Sequence, residues 1–168
     1  MSSKNLIRLG GLAAIIAGIL RGVNSFLPSS NNPNATISIL YLLTDIFLLF
    51  GIMGIYSFQY RQSRSWGFFG FILAIVGIAI IRTGSISEVS LYPIGASIFT
   101  VGMSLFAVGS WIAKELPRWV SILWVLSTIV GFMGYFIPSL NLLFVASGVI
   151  FGIGFAGAGM KIWSATSK

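Results

Sequence analysis

The sequence contains no cysteine and no histidine, and only three of its 168 residues are acidic. Without cysteine and histidine the chain has no disulfide, no thiol chemistry and no imidazole ligand for zinc or haem. A serine hydroxyl also lacks the histidine base that would activate it as a nucleophile. We therefore expect a non-enzymatic protein with no catalytic site, no metal site and no cofactor.

Charged residues are also scarce, at 8% of the chain, whereas 57% of the residues are hydrophobic. This leaves too little polar surface to cover a soluble domain. The apolar runs have lengths close to the roughly 20 residues that an α-helix needs to cross a bilayer. The ten basic residues are scattered between these runs instead of along one face, which argues against nucleic acid as a partner. The composition predicts an integral membrane protein with lipid as its surroundings.

Six apolar segments predict an all-α fold of six transmembrane helices, in one domain that covers residues 1–168. The segments are residues 5–27, 37–59, 66–84, 91–112, 119–137 and 141–163. They pair into three hairpins with a period of about 50 residues, since the pairs Leu40-Tyr41 and Leu91-Tyr92 open the second helices of the first two. Two interpretations stay open: an internal threefold repeat, or chance matches of the kind that any glycine-rich six-helix chain shows.

The basic residues predict the orientation of the chain. Only Arg21 and Arg82 fall toward one side of the six spans, and the other basic residues near span ends lie on the opposite side, namely Lys4, Arg8, Arg61, Arg64, Lys114, Arg118, Lys161 and Lys168. Cytoplasmic loops carry an excess of lysine and arginine. We therefore expect both termini to be cytoplasmic, in a multi-pass protein of a cell membrane such as the bacterial inner membrane.

Three glycine-rich hairpins in fewer than 200 residues, with proline at their outer turns, resemble the small six-span proteins of the bacterial HdeD acid-resistance membrane family. The resemblance covers most of the chain, and it consists of hydropathy and glycine spacing without a diagnostic motif. It implies a six-helix membrane bundle and a stress-related role. It assigns a function to no individual residue.

Asp45 is the one acidic residue inside a predicted span. A charge in hydrocarbon costs roughly 3 kcal/mol on insertion scales, so it needs a partner or water. At 1.5 Å per residue, Asp45 lies roughly 12 Å from the outer face, Arg21 lies roughly 22 Å along a first helix that starts inside, and Arg82 ends the third helix. All three belong to the outer half, where a guanidinium can offer a carboxylate two parallel donors. The pattern leaves open whether Arg21, Arg82 or both pair with Asp45.

Hydroxyl groups extend this predicted cluster. Tyr41 and Thr44 share the Asp45 face of the second helix and complete the candidate ligand-binding set with Arg21, Asp45 and Arg82. On the first helix, Ala14, Ala17 and Gly18 form a small-residue stripe with Arg21, which predicts close helix packing on that side. Further candidates come from other helices, namely Asn24, Ser97, Thr100 and Asn141.

Three functional interpretations follow from the cluster. In the first, it is an outer-half pocket that binds or passes a small solute, and its two arginines to one aspartate favour a polar or anionic one. In the second, the charges only brace a structural or assembly subunit that packs against itself or another membrane protein through glycine-rich faces. In the third, Asp45 belongs to a proton or ion path.

Overall fold

The computed structural model describes residues 3–27, 34–84 and 91–166, and the regular secondary structure among them is helical, with no strand. The six long helices are α1 (Ser3–Asn24), α2 (Ala35–Gln59), α3 (Arg64–Gly84), α4 (Tyr92–Ala113), α5 (Arg118–Phe136) and α6 (Asn141–Thr166). A 3₁₀ turn at Pro138–Leu140 precedes α6. All six are long and apolar enough to cross a membrane. The prediction of an all-α fold with six apolar helices is confirmed for this part of the chain. Glu88 and Lys168 lie outside the described residues.

The ends of the helices follow local chemistry. The segment predicted to reach Leu27 stops being α-helical at Asn24, and its last three residues form a tighter turn in which the Leu27 N–H donates to the Asn24 carbonyl. Pro28 follows in the sequence, and because a proline disfavours helical geometry in the residue before it, the α-helix is not expected to continue through Leu27. At the start of α2, Asn34 accepts a hydrogen bond from the backbone N–H of Ile37 at 2.9 Å, as an N-cap does.

Each helix packs against the next one in the chain, and α6 closes the arrangement against α1. Named contacts show that neighbours are antiparallel: Gly10 meets Gly54 across α1 and α2, and Gly67 meets Gly109 across α3 and α4. The basic residues at the start of α1, α3 and α5 and at the end of α2, α4 and α6 therefore share one end of the bundle. We call this the basic end, and the other end, where Arg21, Asp45 and Arg82 lie, the opposite end.

Glycine sets the distance between the helices that touch most closely. Gly18 of α1 and Gly152 of α6 face each other, and a Cβ atom on either one would fall against the backbone of the other. The same holds for Gly102 of α4, where an added Cβ would lie 2.5 Å from the backbone nitrogen of Ala74. Such close backbone approach is typical of helix pairs in membranes, where small residues replace the hydrophobic effect as the source of association. The predicted contact surface of Ala14, Ala17 and Gly18 is buried, with both alanines fully enclosed.

A comparison of Gly18 with Gly22 tests this packing. We expect Gly18→Ala to lower the free energy of unfolding by about 1–3 kcal/mol, because the new methyl group overlaps the backbone of α6. Gly22→Ala is the matched control, since nothing lies within 4 Å of the position that its Cβ would take. Denaturant titration of both variants in detergent measures the difference. Equal losses from the two substitutions would show that α1 and α6 are not in close contact.

The middle of the bundle is filled by aromatic side chains. Trp124 of α5 is fully buried and lies between Phe106 of α4 and Phe155 of α6, with ring centroids 5.8 Å and 6.2 Å away. The ring of Phe155 also stacks on that of Phe151, with the two ring centroids 5.4 Å apart. The same cluster includes Ile52 and Ile55 of α2, Ala14 and Ala17 of α1, and Ala74 and Ile78 of α3. The core therefore joins all six long helices.

Candidate functional site

Asp45 and Arg82 form an ion pair between α2 and α3. The Nε atom of Arg82 donates to Oδ2 of Asp45, and the two side chains are 30% and 19% exposed for Arg82 and Asp45, respectively. The contact between α2 and α3 is otherwise limited, and nearer the basic end it includes the stacked rings of Tyr56 and Phe71, 4.4 Å apart. The ion pair therefore holds the opposite end of a small helix interface.

Thr44 points to a different neighbour from Asp45. The Nδ2 atom of Asn24 on α1 donates to the Thr44 hydroxyl at 2.7 Å, and that hydroxyl donates to the Leu40 carbonyl one turn earlier at 2.8 Å. Both side chains are buried, and the Oδ1 atom of Asn24 has no hydrogen-bond partner among the described residues. Thr44 and Asp45 were expected to share one face, but adjacent residues on a helix diverge by about 100°, and here Thr44 faces α1 while Asp45 faces α3. The binding role of Thr44 stays a prediction.

Arg21 lies at the side of the cluster next to α6. Its side chain is half-buried, and its Cζ atom is 3.9 Å from the position that a Cβ on Gly148 would occupy. Ser25 fills the remaining space over Gly148 and donates its hydroxyl to the Arg21 carbonyl at 2.8 Å. Within the described residues the guanidinium of Arg21 has no ion pair. Arg82 is thus the bonded partner of Asp45, and Arg21 is the more remote one.

The other candidate residues, apart from Asn24, make no hydrogen bond to the predicted cluster within the described residues. Tyr41 is half-buried and its hydroxyl makes no hydrogen bond within the described parts of the chain. Ser97 and Thr100 donate to carbonyl groups of their own helix, those of Pro93 at 2.8 Å and Ala96 at 2.7 Å. The side chain of Asn141 lies outside what the structure describes. Of the additional candidates, Asn24 is therefore the one that the structure joins to the predicted set.

Two polar links between helices were missed by the sequence reasoning. The Nε2 atom of Gln59 donates to the Ser110 hydroxyl at 2.6 Å and ties α2 to α4 near the basic end. Ser104 and Thr128 share a hydrogen bond of 3.1 Å between α4 and α5. A signal for Gln59 does exist, because it lies four and seven residues after Ile55 and Ile52, on the buried face of α2.

Arg21, Asp45 and Arg82 together carry one excess positive charge at the opposite end. Among the described residues of this cluster, the one carboxylate is bonded to Arg82, and the guanidinium of Arg21 has no ion pair. A guanidinium without an ion pair can bind an anion.

Comparison with protein-family models, with curated proteins and with solved structures gave no match to this chain.

Proposed function

We propose that this protein is a non-enzymatic, six-span protein of a cell membrane whose opposite-end cluster binds a small anionic or polar solute from the outer side. The basic end faces the cytoplasm in this proposal, because lysine and arginine are enriched in cytoplasmic loops. The HdeD resemblance suggests the bacterial inner membrane as the location, and three repeated hairpins as the organisation of the bundle.

The half-buried guanidinium of Arg21 is the observation that supports a solute site. Arg82 already occupies the single carboxylate of the cluster, so Arg21 retains its charge without an ion pair among the described residues. A charged group at this depth is costly unless a counter-charge or water meets it. An anionic group on a solute would supply that counter-charge, since guanidinium binds carboxylate and phosphate through two parallel hydrogen bonds.

The neighbouring residues have distinct roles in this proposal. The ion pair of Asp45 and Arg82 keeps α2 and α3 together beside the site. The half-buried Tyr41 is available to a solute at the outer side of the cluster. Thr44 holds Asn24 in position through their 2.7 Å hydrogen bond.

Thermal stability in the presence of a solute panel tests the proposal. Purified protein in a neutral detergent is melted with small carboxylates, phosphates and uncharged polyols. A bound solute at 100 times its Kd adds about 2.7 kcal/mol to the free energy of unfolding, if it binds only the folded state. We expect an anionic or polar member of the panel to raise the melting temperature of the wild type and to lose its effect in Arg21→Gln.

The control is Arg64→Gln, which removes the same charge from an exposed position at the basic end. It should keep the solute response. A panel with no stabilising member, or a response that Arg21→Gln retains in full, would contradict a solute site at Arg21.

The alternative is a structural or assembly subunit in which the charges serve only as a brace. An apolar groove of about 500 Å³ between α1 and α6 favours this second candidate, because Gly22 lies open within it and could admit a neighbouring helix. Chemical crosslinking in membranes distinguishes the two functions. An assembly subunit should give a crosslinked homo-oligomer or complex that Gly22→Leu abolishes, whereas a solute-binding monomer should give neither.

A further inference from the structure

We propose that a groove between α4 and α5 binds one anionic phospholipid of the leaflet that faces the basic end. The groove has a volume of about 400 Å³ and an entirely apolar open surface. It lies on the side of the bundle formed by α4 and α5, away from the cluster of Arg21, Asp45 and Arg82. The proposal needs insertion of the helices in a bilayer and is independent of solute binding at Arg21.

The shape of the groove fits an acyl chain. Along α5 its lining runs from Ser121 to Ile129, and along α4 it runs from Trp111 back to Ala107. At 1.5 Å per residue the α5 wall is roughly 12 Å long, close to the roughly 15 Å depth of one half of the hydrocarbon core. The small Ala107 is buried at the floor, while Val125 is 39% exposed at the rim. One chain can therefore lie along the groove without displacing a core residue.

The charge at the mouth of the groove identifies the headgroup. Trp111, which lines the groove, is covered by the guanidinium of Arg118, with the Arg118 Cζ atom 5.5 Å from the ring centroid. Lys114 is exposed in the turn between the two helices, and the one acidic residue of that turn, Glu115, leaves an excess of one positive charge. Basic pockets between transmembrane helices at the cytoplasmic surface bind anionic headgroups.

The position of Trp111 also agrees with a bound lipid. Tryptophan is the usual residue at the boundary between headgroups and hydrocarbon, which places Trp111 at the level that the headgroup must occupy.

Native mass spectrometry with defined lipids tests the assignment. Delipidated protein in a neutral detergent receives phosphatidylglycerol and phosphatidylcholine with identical acyl chains, and the bound fractions are compared. One basic residue near the surface contributes roughly fivefold in affinity for an anionic lipid. We expect the wild type to prefer phosphatidylglycerol about fivefold or more, and Arg118→Gln to lose that preference.

Two variants separate this site from general attraction to the basic end. Arg61→Gln removes a fully exposed guanidinium that also lies over an aromatic ring, that of Tyr60, and it should keep the wild-type preference. Val125→Trp narrows the groove from its exposed rim and should lower the binding of both lipids. Melting temperatures close to that of the wild type confirm that the three variants are folded.

Several results would overturn the proposal. Equal binding of the two lipids by the wild type would remove the headgroup preference. Equal loss in Arg61→Gln and Arg118→Gln would show diffuse attraction instead of a site. Full competition by glycerol phosphate, which has no acyl chain, would indicate a site for a free anion. A dimer that added lipid does not dissociate would assign the groove to a second copy of the chain.

Discussion

Asp45→Asn is expected to lower the free energy of unfolding by about 3 kcal/mol, because it removes the carboxylate that Arg82 binds within the bundle. The lost ion pair lies in the interface between α2 and α3, where few other contacts remain to hold the two helices together. Denaturant titration in mixed micelles measures it. The control is Glu115→Gln, a carboxylate in the turn between α4 and α5, which should change the free energy of unfolding by no more than about 0.5 kcal/mol.

A double variant shows whether the pair acts as a unit. If Asp45 and Arg82 stabilise each other, Asp45→Asn combined with Arg82→Gln should be less damaging than the sum of the two single changes. Additive losses would mean that the two side chains act independently, and an unchanged unfolding midpoint in Asp45→Asn would refute the brace altogether. This result is separate from solute binding, which the response of Arg21→Gln reports.

Trp124→Ala is expected to have the largest effect, a loss of about 4 kcal/mol, because the side chain is fully enclosed between Phe106 and Phe155. Truncation of a buried aromatic residue leaves a cavity that the surrounding helices fill only in part. Far-ultraviolet circular dichroism during denaturant titration measures the loss without relying on tryptophan fluorescence.

Two substitutions give this prediction its controls. Trp66→Ala removes the same side chain from a position that is 51% exposed and should cost far less. Trp124→Phe should also be mild, since the indole N–H of Trp124 has no hydrogen-bond partner in the part of the chain that the structure describes. Similar losses from Trp124→Ala and Trp66→Ala would show that the aromatic core does not hold α4, α5 and α6 together.

The helices were predictable because their signal is local. A run of about 20 apolar residues satisfies every backbone group within itself when it is helical, so composition alone favours this structure. Pro28 and Asn34 likewise act on their immediate neighbours. The main difference, the early end of α1 at Asn24, arises at such a boundary.

The depth of the charged residues along the spans could also be predicted from the sequence, since the rise per residue of an α-helix is constant. It placed Arg21, Asp45 and Arg82 in one half of the spans, and the antiparallel packing brings all three to one end of the bundle. The rotation of each helix about its own axis could not be predicted from the sequence in this way. The sequence reasoning therefore joined Thr44 to Asp45, whereas Thr44 binds Asn24.

The sequence by itself determined the all-α class, the six apolar helices and the end of the bundle at which Arg21, Asp45 and Arg82 lie, because these depend on composition and on spacing along one chain. Only the tertiary structure decided that Asp45 binds Arg82, that Arg21 lies beside Gly148, and that Trp124 occupies the core. Each of these depends on which face of one helix meets which face of another. Steric contact between residues far apart in the chain, such as Gly18 with Gly152, determines which helix faces pack together. Patterns among neighbouring residues do not predict these contacts.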